Sequence, residues 1–161
     1  METVIILSRW EKEIAWNTAK RRTKNNRDRG IPDENISGRD TVTQDYYSFC
    51  GELAFCKLLN IYPDLEVLDR NKHDARHNGH CYDIKTILDP GHNLVVRRNK
   101  KHKPSERYAL MLRETEEAYR FIGWATADEV FNRELFEHMA QPAYLVQKDE
   151  LHGSEEFKVT I

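Results

Sequence analysis

The sequence predicts a single domain of mixed α/β class, and three observations carry that expectation. Residues 45–60, DYYSFCGELAFCKLLN, form a helical segment with an apolar stripe, and a series of short β-branched and aromatic runs follows it. Asn78-Gly79 sits between two of those runs, and Asn-Gly flanked by strand-like residues is the strongest short-range signal for a tight hairpin. Later helical segments come after several adjoining strands rather than alternating with each one. The 161 residues fit one domain large enough to bury a core. Within 1–161, residues 1–44 read as an N-terminal helix and basic loop, 45–126 as the core, and 127–161 as closing helix and strand elements.

Residues 8–22 predict a helix with Ser8 as its N-cap, in which Trp10 groups with Ile14 and Ala15 with Ala19. Residues 23–40 are polar, basic and punctuated by Gly30, Pro32 and Gly38, and read as a long loop. The helix over 45–60 has Thr43 as a candidate cap and Pro63 beyond its end. Phe49, Glu52, Cys56 and Leu59 recur along it at three- and four-residue intervals, which sets Glu52 among apolar neighbours. A carboxylate there needs a donor, a counter-ion or a metal, or it takes up a proton; the plainer alternative is that Glu52 only borders the stripe. Residues 65–68 read as a short strand. The hairpin follows, its second strand running to Ile87 or Leu88 before Pro90-Gly91 stops it. Residues 94–96, 108–112, 119–126 and 143–146 are further strands. Thr126 caps a short helix through Phe131 with Asp128 and Glu129 in its first turn, and 148–151 makes a helical turn.

The composition, 39% hydrophobic and 32% charged, is that of a globular protein with a heavily charged surface. No apolar run approaches the roughly 20 residues that span a bilayer, so no membrane partner is expected. The start, METVIILSRWEKE, has an acid before a short apolar run and no small-residue cleavage pattern; a secretion signal is not expected, and the cytoplasm is the expected compartment. Cys50, Cys56 and Cys81 are an odd number without framework spacing and read as reduced packing residues. The net charge of −2 alone argues against a nucleic-acid partner, but its distribution argues otherwise. Lys20, Arg21, Arg22, Lys24, Arg27 and Arg29 oppose only Asp28, and Arg97, Arg98, Lys100, Lys101, Lys103 and Arg107 oppose only Glu106. Beyond Arg113 eleven acids face four bases. Such asymmetry gives a near-neutral protein local surfaces for phosphate, the plainer reading being two solvated basic loops.

Taken literally, the two-residue turn sets His77 opposite His80, Arg76 opposite Cys81, Ala75 opposite Tyr82, and Asp74 opposite Asp83. Opposed residues have Cβ atoms about 4.5–5.5 Å apart, so two like charges meet, a destabilising arrangement unless a proton or cation lies between them. Lys85 leaves from the same face as Asp83, while Tyr82, Ile84 and Thr86 take the other. Hard oxygen donors of this kind suit Mg²⁺, with Mn²⁺ as a substitute: carboxylates from Asp74 and Asp83, the main-chain carbonyl of Ile84, and Glu52 for a second ion. A lysine beside them orients or deprotonates an attacking water, and the set fits phosphodiester hydrolysis.

These residues resemble the PD-(D/E)xK, or restriction-endonuclease-like, nuclease superfamily. Its pattern is a helix bearing Glu, an Asp near a strand start, then Asp or Glu, any residue and Lys on the neighbouring strand. Here those are Glu52 in GELAFCKLLN, Asp74, and Asp83-Ile84-Lys85 in YDIKT, within a similar region covering residues 45–126. His73 stands where the motif has Pro, and the Lys/Arg-rich stretch 97–107 stands where the family has a helix after its third strand. GELA and the later GWATADE segment look like those of small phage or mobile-element members. The resemblance implies a central mixed sheet flanked by helices, Mg²⁺ held by Asp74, Asp83, the Ile84 carbonyl and Glu52, water assisted by Lys85, and DNA as the substrate. By the same analogy Arg21, Arg22, Lys24, Arg97, Arg98, Lys100, Lys101 and Lys103 contact phosphates. Trp10, Tyr46 or Tyr47 would stack on bases, although core burial is the commoner fate of such aromatics. Many nucleases of this type cut both strands as dimers, so a homodimer is an expectation.

Two rivals remain open. His73, His77, His80 and Cys81, with His92 and His102 beyond, are metal-capable, but Cys81 leaves the hairpin on the opposite face from His80, so a tetrahedral zinc site would require rearrangement. A protein that keeps the fold without the chemistry, either a DNA-binding module or an inhibitor of a host enzyme, would also carry these residues, with Lys85 simply neutralising Asp74 and Asp83.

Overall fold

The computed structural model describes residues 3–32, 38–66, 73–102 and 105–157. Strand β1 (Thr3–Ile6) passes through Ser8 into helix α1 (Arg9–Asp28), where Ser8 Oγ accepts from the Glu11 N–H at 3.2 Å and Glu11 Oε2 accepts from the Ser8 N–H at 2.6 Å. This reciprocal cap starts the helix where the sequence places it. Its end differs: residues 23–28, read as loop, are helical. The reason lies in which face packs. Trp10 and Ile14 are 73% and 42% exposed, and the buried face is Ala15, Thr18, Ala19 and Thr23, small side chains at helical spacing without an apolar signature. They let α1 lie against α2 (Thr41–Leu58), where the Thr23 hydroxyl donates to Asp45 Oδ2 at 2.8 Å. Helix α2 is capped by Asp40 rather than Thr43, Asp40 Oδ2 accepting from the Thr43 N–H at 3.1 Å.

Of the strand expected over 65–68, Leu65 and Glu66 form none, and the other two residues lie outside the described ones. The hairpin of β2 (Ala75–His77) and β3 (His80–Ile87) has the expected register through Ala75 opposite Tyr82. Asn78 and Gly79 take φ of 47° and 79°, the left-handed pair that a tight hairpin turn demands. Strands β5 (Arg107–Arg113) and β6 (Ala118–Thr126) complete a five-stranded sheet in the order β1-β6-β5-β3-β2. The β3–β5 pair is parallel and the others antiparallel.

A parallel pair requires a crossover. Here it consists of β4 (Leu94–Arg97) and a 3-10 turn, Arg98–His102, which assigns a conformation to most of the basic stretch 97–107. After the short helix α3 (Ala127–Phe131), begun by the expected Thr126 capping box, β7 (Ala143–Val146) pairs with β4 as a separate two-stranded sheet. The large sheet is thereby covered on both faces. Phe49, Phe55, Tyr82, Ile84, Ala109 and Met111 form the core beneath α2, while Leu94, Val96, Tyr108, Leu110, Val130 and Val146 form a second core under the small sheet and α3. Cys50, Cys56 and Cys81 are buried and free. Among the described residues no helix is long and apolar enough to cross a membrane.

Candidate active site

Strand β3 is the axis of the site because one of its edges is bare along half its length. Strand β2 covers it only from His80 to Tyr82, so past Tyr82 the main-chain groups on that edge have no strand beside them. Asp74 fills part of the gap. It does not continue the ladder opposite Asp83, as the turn register predicts. Its N–H donates to the Tyr82 carbonyl at 3.0 Å, and its carboxylate Oδ2 accepts the Ile84 N–H at 2.7 Å, standing in for a missing strand carbonyl. The physical reason is that an opposed Asp pair repels, whereas a carboxylate in the plane of the edge gains a main-chain donor. In an extended residue the N–H and C=O leave on the same edge, so the Ile84 carbonyl emerges beside Asp74.

The other groups reach that edge from the two faces of the sheet. Asp83 and Lys85 leave β3 on the face toward the small sheet and pair with each other, the contact being Lys85 Nζ to Asp83 Oδ1. Glu52 arrives from α2 on the opposite face. Gly51 makes that approach possible: a Cβ there would lie 1.9 Å from Thr86 Oγ1, so only glycine lets α2 sit this close to β3. Glu52 is 7% exposed and Asp83 6% exposed, so the stripe read from the sequence does bury its carboxylate. A cleft of about 720 Å³ is lined by all three carboxylates together with Lys85, Arg22 and Lys100.

Cations from distant parts of the chain answer these charges. Arg22, on α1, grips Glu52 with two nitrogens at 3.1 and 3.2 Å and lies over the Phe49 ring at 4.6 Å. Lys100, on the 3-10 turn, places Nζ 3.0 Å from Asp83 Oδ2. The proton affinities follow. Burial, with Glu52 and Asp83 nearby, pushes the Asp74 carboxyl well above the usual range despite the Ile84 N–H and Lys85. Burial also raises Glu52, with Arg22 opposing it. For Asp83 burial acts upward too, but Lys85 and Lys100 outweigh it and hold the carboxyl below its ordinary value.

Of the residues expected to meet phosphate, Arg22 and Lys100 are thus turned inward onto carboxylates. Arg21 and Lys24 are exposed on α1, Lys24 paired with Asp28. Arg98 and Lys101 are exposed on the turn, Arg97 is half-buried at the end of β4, and Lys103 lies outside the described residues. Trp10 is exposed, and Tyr46 meets Trp16 edge-on at 5.5 Å. The zinc alternative gains no geometry: His73 Nδ1 contacts Ser105 Oγ at 2.8 Å, His80 Nδ1 contacts Glu106 at 2.9 Å, and Cys81 is buried. As the side chains lie, no three His, Cys, Asp or Glu among the described residues stand together as ion ligands. The His73–Ser105 contact, which fixes the residue before Asp74 to the start of β5, joins positions 32 apart and has no signal in the sequence.

No family profile, no curated protein and no solved structure matches this chain.

Proposed function

We propose that the protein is a metal-dependent DNA endonuclease with a restriction-endonuclease-like core, acting at the bare edge of β3. The observation that carries this reading is the convergence of Glu52, Asp74 and Asp83 with Lys85 around one strand edge inside an open cleft. The raised Asp74 carboxyl marks a cluster that favours an added positive charge, and its donors are hard oxygens, which suit Mg²⁺ or Mn²⁺. Asp74, Asp83, the Ile84 carbonyl and Glu52 are the residues that would hold the ion. When bound, it supplies Lewis acidity toward a phosphodiester and a lowered pKa for water.

Lys85 orients the attacking water from the side of Asp83 and offers its charge to the phosphate as negative charge develops. The water oxygen adds to phosphorus, one P–O bond to a sugar breaks, and a phosphate monoester and a hydroxyl are left. Arg22 fixes Glu52 in the wall of the cleft, and the exposed bases Arg98 and Lys101 give the backbone of DNA a place to approach.

Purified protein is expected to cut plasmid or branched DNA with Mg²⁺ or Mn²⁺ and to stop with EDTA. Lys85→Ala and Asp83→Asn are each expected to lower the rate about 100-fold or more, with the fold retained by circular dichroism. Cutting that survives both substitutions removes the site assignment. A second reading has an observation of its own: Arg22, Lys85 and Lys100 already neutralise Glu52 and Asp83, as in a structural charge cluster. A non-catalytic DNA-binding module of this kind would keep salt-sensitive affinity in Lys85→Ala and Asp83→Asn and be weakened at Arg97, Arg98 or Lys100. An inhibitor of a host enzyme would do neither and would co-purify with that protein.

A further inference from the structure

Three carboxylates and three cations meet at the edge of β3, and the cations are not equally committed. Arg22 makes two bonds to Glu52 and its side chain is 25% exposed. Lys85 rises from β3 itself, two residues from its partner. Lys100 comes from the crossover, its side chain 45% exposed, and reaches one oxygen of Asp83 at 3.0 Å. The turn beneath it is anchored, since the Arg98 N–H donates to the Pro142 carbonyl at 2.9 Å and Lys101 Nζ lies 5.7 Å from the centre of the Tyr144 ring. A firm base therefore holds a flexible, half-exposed ammonium over the cleft. Lys85 sits on Asp83 Oδ1 and Lys100 on Oδ2, so ammonium groups cover both oxygens of a carboxylate that would bind a cation.

We propose that Lys100 is a positioning residue that occupies the place of a divalent cation on Asp83 and yields it when a phosphodiester enters, so that cation and anionic substrate bind the cleft cooperatively. The inference rests on the metal-dependent reading above. A divalent cation arriving alone displaces the ammonium and leaves it without its carboxylate; an anion arriving alone draws Lys100 away and leaves Asp83 short of a counter-charge in a buried position. Arriving together, each supplies the partner the other removes, Lys100 turning from Asp83 to a phosphate oxygen. Such coupling is reciprocal: the factor by which the anion tightens the cation equals the factor by which the cation tightens the anion. Arg22 cannot act this way, because leaving Glu52 would break two bonds to a buried carboxylate.

The test is calorimetric titration of the full chain with Ca²⁺, which takes the same kind of oxygen ligands as Mg²⁺, alone and with a short oligodeoxynucleotide. Wild type is expected to bind Ca²⁺ more tightly with the oligonucleotide present. Lys100→Ala is expected to bind Ca²⁺ alone about fivefold more tightly than wild type, the loss of one part-exposed ion pair, and to gain correspondingly less from the oligonucleotide than wild type does. Lys100→Arg should keep the wild-type coupling. Equal Ca²⁺ affinity in wild type and Lys100→Ala, or coupling as strong in Lys100→Ala as in wild type, overturns the proposal. No Ca²⁺ binding by either protein overturns the metal-dependent reading and this proposal with it. The expected Ca²⁺ pattern in a wild type that cuts no DNA with Mg²⁺ would support the role of Lys100 and count against hydrolysis alone.

Discussion

The two basic runs of the chain carry similar charge and reach the same cleft, yet they are built in opposite ways. Residues 20–28 belong to a long helix, α1, packed on α2 by small side chains, and the member that turns inward, Arg22, is clamped by two bonds and an aromatic face. Residues 98–102 form a 3-10 turn in a crossover, and the member that turns inward, Lys100, holds one carboxylate oxygen from a half-exposed position. The first is a structural clamp on Glu52; the second is a movable charge on Asp83. A basic run is therefore not a uniform phosphate surface, because within each run the support under a given residue decides whether its charge is spent inside the protein or offered to a partner.

That difference is sharpest in stability. Arg22→Ala leaves Glu52 buried without its counter-ion and is expected to cost about 3 kcal/mol in urea unfolding, a value limited by the ease with which Glu52, already raised by burial, takes up a proton. Adding Glu52→Gln should recover much of the loss by removing the stranded charge. Lys100→Ala is expected to change stability by no more than about 1 kcal/mol. Equal losses in the two single variants would abolish the distinction between clamp and movable charge.

Asp74 tests what neither arm grips: its carboxylate is held by the Ile84 N–H, while Arg22 is bonded to Glu52 and acts on Asp74 through its charge. Its folded-state pKa is raised, so the stability it contributes is complete below the unfolded carboxylate value, about 3.9, and is lost as pH rises through the raised value. Asp83, held low by Lys85 and Lys100, works in the other sense: its contribution is present above the unfolded value and is lost as pH falls through the lowered one. Asp74→Asn keeps an oxygen for the Ile84 N–H and removes the repulsion. In EDTA it is expected to gain about 1 kcal/mol at pH 7 and to lose less stability than wild type as pH rises above the ordinary carboxylate range. A variant that is less stable than wild type at pH 7 would show that Asp74 is adequately neutralised by the arms after all.

Much of this arrangement was legible in local sequence, and the parts that were not share a cause. Asn78-Gly79 fixed the hairpin register and Ser8 and Thr126 marked helix starts, each from interactions within a few residues; the burial of Glu52 agrees with its apolar stripe, although residues 49–56 are buried on every face. The end of α1 was hidden because a face of alanines and threonines has no hydrophobic period to detect. Asp74 was misplaced because a register argument continues the ladder, whereas the side chain found a main-chain donor in the sheet plane. The pairing of β3 with β5 and of β4 with β7, and with them the delivery of Lys100 to Asp83, depend on contacts between distant segments that no short window contains.

The smallest effect concerns the exposed members of the two runs. Arg98 and Lys101 stand on the turn that carries Lys100, whereas Lys24 on α1 is paired with Asp28 four residues on. A phosphate that draws Lys100 outward approaches the turn, so the turn should supply more of the counter-ions released from DNA than the helix does. With duplex DNA in EDTA, replacing Arg98 and Lys101 together by Ala is expected to reduce the dependence of log affinity on log salt by about 0.9 for each phosphate left without its protein cation. The Arg21→Ala, Lys24→Ala double variant should reduce it less, because Lys24 has a carboxylate to leave before it can reach a phosphate. Equal reductions would mean that helix and turn form one continuous phosphate track, and the contrast between them would then hold only for Arg22 and Lys100, inside the cleft.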